Sequence, residues 1–75
     1  MEARTWIDRY AEALGVSAPT ETEVRELLAL AGIAAHTSER TAAPVSCWLA
    51  AQAGFTTADA LACAQTLEKA ILDQS

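Results

Sequence analysis

No stretch of this 75-residue chain reads as a β-strand, and helix start and stop signals recur along it four times. The first helix is expected over about Ala3 to Leu14, where Trp6, Tyr10, Ala13 and Leu14 form an apolar stripe at helical spacing. Gly15 is its stop, because glycine enters the left-handed cap conformation cheaply. Ser17-Ala18-Pro19 then turns the chain. Thr20 with Glu23 fits a capping box, and Glu21, Glu23 and Glu26 complement the positive end of a second helix expected over 21–38. Its segment from Leu27 to Ala35 is apolar all round, which marks a central helix enclosed by its neighbours. Gly32 inside that segment is expected to admit the close approach of another helix. Pro44 suits the first turn of a third helix over 44–53, closed by Gly54, with Val45, Trp48, Leu49 and Gln52 on one face. Thr56-Thr57-Ala58-Asp59 opens a fourth over 57–72, with Ala60, Cys63, Ala64, Leu67 and Ile71 as its inward stripe and Phe55 stapling its first turn. The expected fold is all-α: a compact four-helix bundle with short connections, one domain over residues 1–75.

At this size a hydrophobic core is only just sufficient, since a chain this short buries roughly 60% of its unfolded surface. Eighteen of the residues are alanine, which favours helix and close helix packing but removes little apolar surface from water. The larger apolar side chains suffice for one small core. A net charge of −5 with five basic residues scattered along the chain excludes the cationic face that nucleic acid demands. The same deficit disfavours an anionic membrane surface. Met1-Glu2-Ala3-Arg4 lacks a signal peptide's basic start and apolar run, and no run approaches the ~18 apolar residues of a membrane span. A cytoplasmic location is expected. Cys47 and Cys63 are then expected as buried free thiols on inward helical faces, acting as small hydrophobes and not as a disulfide.

The polar groups crowd at the centre, in Ala34-Ala35-His36-Thr37-Ser38-Glu39-Arg40-Thr41-Ala42-Ala43-Pro44-Val45. His36 falls in the last turn of the central helix, where the partial negative charge of the helix end favours imidazolium. Arg40 follows four residues later. With the hydroxyls of Thr37, Ser38 and Thr41 they form a candidate site for a small anion or nucleotide. Against it stands a structural reading, in which His36 caps its own helix and Arg40 ties the loop to a neighbouring acid.

Metal binding lacks the paired ligand spacings of zinc sites, and Ser46-Cys47 matches no nucleophile motif. No catalytic residue, metal ligand or cofactor is read from the sequence. Acyl carrier proteins are also small acidic helical bundles, but they carry their prosthetic group in an Asp-Ser-Leu context that none of the four serines has. Trp6, Tyr10 and Trp48 are read as core residues before ligand or interface contacts.

The run Leu30-Ala31, Ala34-Ala35-His36, Glu39-Arg40, Ala42-Ala43-Pro44-Val45 and Leu49-Ala50-Ala51-Gln52-Ala53-Gly54 resembles a small actinobacterial helical domain of unknown function. Trp6-Ile7 followed by Ala13-Leu14-Gly15 fits the usual opening of that family. His36, Arg40 and Pro44 match its pattern. Gly32-Ile33 stands where the family often has Arg-Asp, and Ser46-Cys47-Trp48 where Thr-Thr-Phe is usual. The family occurs alone or fused to molybdenum cofactor guanylyltransferase-like proteins. The resemblance therefore implies a non-catalytic binding or assembly module, accessory to molybdopterin-guanine dinucleotide synthesis, with a molybdopterin nucleotidyltransferase as partner. The alternatives are a self-associating helical protein without a small ligand, and the anion binder using His36 and Arg40.

Overall fold

Local capping chemistry sets the element boundaries in the computed structural model, which describes residues 1–74. Helix α1 (Ala3–Leu14) ends where Gly15 takes a left-handed φ of 75°. The Gly15 amide then donates to the Glu12 carbonyl and Val16 to Ala11, each at 3.0 Å, which is a Schellman stop. Helix α2 (Glu21–Thr37) opens on the expected capping box. Glu23 N donates to Thr20 Oγ1 at 3.1 Å and Thr20 N to Glu23 Oε1 at 2.8 Å.

Helix α3 (Ala42–Gln52) starts two residues ahead of Pro44. The first four amides of a helix have no acceptor within it, so a proline third in line leaves no bond unmade. Gly54 stops α3 as Gly15 stops α1, with a φ of 75° and Phe55 N donating to Ala50 O at 3.3 Å. Helix α4 (Thr57–Asp73) is capped by Thr56 Oγ1, which accepts from Asp59 N at 3.1 Å.

The four helices form one all-α domain, with no strand among the described residues. Helix α2 is the centre, and α3 and α4 both pack on it. Helix α1 packs extensively on no other helix. Its guanidinium Arg4 Nη2 donates to Pro19 O at 2.6 Å, which ties it to the connection instead.

The covered positions of α3 and α4 are mostly small residues. On α4 they are Thr57, Ala60, Leu61, Ala64 and Glu68, and on α3 Ala42, Ala43, Ser46, Cys47 and Ala50. Val45, Trp48, Leu49 and Gln52, the shared face of α3, stay exposed, as do Cys63, Leu67 and Ile71 from the stripe expected inward on α4. The physical reason is distance: alanine faces let backbones approach, and bulky residues are displaced to the flanks of the contact. Gly32 does not mark such an approach, because a Cβ there would meet nothing within 4 Å.

Among the described residues only Ala11, Leu30 and Ala60 are buried, each still about a twentieth exposed, while Leu28 of the central helix is 67% exposed. Thirteen larger apolar residues are exposed. The chain presents 5752 Å² of surface, against about 4,400 Å² for a compact monomer of its mass. Its radius of gyration is 13.3 Å, where about 11 Å is usual for this length. Part of the missing burial is on α1, part lies along one open side of the other three helices at Leu49, Phe55, Leu67 and Ile71, and more is at Leu28, Val45, Trp48 and Leu72 outside it.

Candidate functional site: an apolar groove

That open side is a groove of about 470 Å³ between α2, α3 and α4. Leu30 and Ala60, both buried, form its deepest lining with Ile33 and Ala64 beside them. Leu49, Phe55, Leu67 and Ile71 line it from exposed positions. Its polar lining is sparse: Thr37, Ser38, Ser46 and a single charged group, Glu68. A concave apolar surface of this size holds a ligand or a helix by burial, with little hydrogen bonding to set chemistry.

The expected polar cluster lies at one end of this groove and is only partly gathered by it. Thr37 and Ser38 line the groove; His36, Arg40 and Thr41 are exposed and lie outside the lining. His36 occupies the last turn of α2, as the sequence implies. Among the described residues neither His36 nor Arg40 makes a side-chain hydrogen bond or an ion pair.

The two thiols are free, and the inward placement expected for both holds for Cys47, which sits half-buried against α2, and is corrected for Cys63. Cys63 is exposed and lines the groove. Cys47 is half-buried, with Sγ 3.9 Å from the Leu27 carbonyl oxygen, to which it donates. Burial pushes its pKa upward, so it is a poorer nucleophile than a free thiol. No group of three metal-capable side chains forms among the described residues.

The aromatic residues expected in the core are on the surface. Trp6 is 59% exposed, Tyr10 52% and Trp48 60%. Trp6 and Tyr10 stack with ring centroids 5.6 Å apart and planes within 10°. One turn apart on α1, they make a single rigid apolar knob.

Sequence reasoning missed one polar tie. Glu26, expected to serve the start of its own helix, lies beyond the first turn of α2. Its Oε1 instead accepts from Thr57 Oγ1 at 2.7 Å, at the first residue of α4. An acid on the central helix thus serves the positive end of a neighbour. No spacing within either helix encodes that pairing, since the two residues are 31 apart.

Fold and groove together define a small all-α helical domain with an exposed, mostly apolar groove. The chain belongs to the family described as domain of unknown function DUF6457, whose model matches residues 1–74. No curated protein and no solved structure matches it. Among the described residues no helix is long and apolar enough to cross a membrane.

Proposed function

We propose that the domain is a non-catalytic assembly module that works by receiving a protein helix in the groove between α2, α3 and α4. The observation that carries this reading is the groove's lining, which is open, almost wholly apolar and bounded by exposed Leu49, Phe55, Leu67 and Ile71. Exposed contiguous apolar surface on a small domain marks an interaction site, since water penalises leaving it bare. A helix in a groove is the recognition mode this shape serves.

The finer reading, support of molybdenum cofactor synthesis through a molybdopterin nucleotidyltransferase, rests on the sequence resemblance from Leu30 to Gly54. Sedimentation of the chain alone and mixed with such an enzyme tests both levels. A complex with the enzyme supports the pathway; self-association alone supports assembly without it. A strict monomer that binds nothing overturns the assembly reading.

The polar junction supports a second reading. His36, Arg40, Thr37, Ser38 and Thr41 fall at one helix end and its loop, and two cationic-capable groups there suit a small anion or nucleotide. Phosphate titration followed by the His36 ring protons tests it, and unmoved resonances rule it out.

A further inference from the structure

We infer that the helix received by the groove is α1 of a second copy, so that two chains exchange α1 helices across a two-fold axis. The inference rests on the assembly reading and names its occupant. Helix α1 is the one element without extensive packing in its own chain, and it carries the stacked Trp6–Tyr10 knob with Ala13 and Leu14 on the exposed side. Only its other flank, Ile7 and Ala11, is covered within the chain.

The dimensions match. Helix α1 has 12 residues, a length of about 18 Å. The groove follows α4 from Ala60 to Ile71, again about 18 Å of helix.

The charges match as well. Glu68 is the one charged group in the groove lining, and Arg9 stands on α1 between Trp6 and Tyr10 in sequence, on the flank of their stripe. An arginine beside an apolar stripe meets a carboxylate beside an apolar groove.

The area matches too. The surface in excess of a compact monomer is about 1,300 Å² per chain. An obligate homodimer removes roughly 1,000–2,500 Å² from each partner. Reciprocal insertion of α1 closes both grooves with the same contact made twice, which is the isologous geometry a two-fold axis requires.

Cross-linking of the full chain tests the contact. Ala13→Cys is introduced in a Cys47→Ser background, leaving the Trp6–Tyr10 stack intact and Cys63 as the one other thiol. The protein is oxidised at low micromolar concentration and the linked peptides are identified by mass. The expected product is a covalent dimer joined between positions 13 and 63. A second variant, Leu67→Glu, changes an exposed residue of the groove lining. It is expected to keep its helical circular dichroism while the dimer dissociation constant rises at least tenfold.

A 13–63 link within one chain overturns the exchange. So does a dimer with no 13–63 link, which leaves the assembly reading standing on another face. A chain that sediments as a monomer throughout overturns it too, and the assembly reading then falls only if a nucleotidyltransferase also fails to bind. A small molecule retained in the groove, seen as added mass in native spectrometry of a monomer, overturns both.

Discussion

Cys47 shows how a single side chain reports its surroundings. Its thiol is held neutral by partial burial against Leu27 in the α2–α3 contact, which raises its pKa above the unfolded value. The folded state therefore keeps its proton over a pH range in which the unfolded state has already lost it. Stability from this source is fully present below the unfolded pKa and is lost as pH rises through the folded one. Urea denaturation at rising alkaline pH is expected to show a decline in the wild type that Cys47→Ala lacks. Equal declines would mean that the thiol's surroundings do not matter. Gly32 makes the complementary case, because a glycine in a helix interior loses backbone entropy for no packing gain when nothing lies near its missing Cβ. Gly32→Ala is expected to stabilise by about 1 kcal/mol, read as a rise in melting temperature of about 4–8 °C. No rise would mean that some neighbour does approach Gly32 in solution.

At the scale of the helix, the sequence was legible wherever the determinant was local. The box of Thr20 and Glu23, the stops at Gly15 and Gly54 and the cap at Thr56 each lie within a few residues of the backbone groups they satisfy. A reader of the chain meets cause and effect together. The choice of buried face was legible only in part: Ala60 and Ala64 are covered as expected on α4, but an apolar stripe states which side avoids water and not which neighbour covers it. With alanine so frequent, several faces of each helix are apolar enough to pack, and close backbone approach selected the smallest. The polar tie between Glu26 and Thr57 belongs to the same class of hidden information, since it appears only once α4 lies across α2. Thr57→Val removes a half-buried hydrogen bond to a charged acceptor and is expected to cost about 1–2 kcal/mol of unfolding free energy. Thr66→Val serves as its control, because that hydroxyl bonds only the Ala62 carbonyl of its own helix at 3.0 Å on the exposed side. Its change is expected to stay within about 0.5 kcal/mol. Equal losses at the two sites would remove Glu26 as a link between helices.

For the whole molecule the governing fact is that α1 carries an aromatic knob for which its own chain provides no pocket, while α2, α3 and α4 provide a pocket without a knob. The sequence offered both halves, Trp6 and Tyr10 on one stripe and an apolar central helix with its neighbours, and their natural reading was mutual burial inside one small core. Six residues, Gly15 to Thr20, join α1 to α2, and α1 leaves that connection pinned by Arg4 on the Pro19 carbonyl and lies beside the bundle without closing it. In the proposed exchange of α1, stability and association are one process, because the apolar surface that a lone chain leaves in water is the surface that two chains would remove. Association-linked folding makes the melting temperature depend on protein concentration. A tenfold increase in concentration adds about 1.4 kcal/mol per mole of dimer. Spread over the unfolding entropy of two chains, that is a rise of roughly 4 °C. Calorimetry over two decades of concentration is expected to show that slope in the wild type. Leu67→Glu, whose carboxylate would be stranded against the incoming stripe, is expected to melt lower and without it. A wild-type melting temperature that stays flat across those two decades would mean that each chain folds alone with its knob and its groove both left in water.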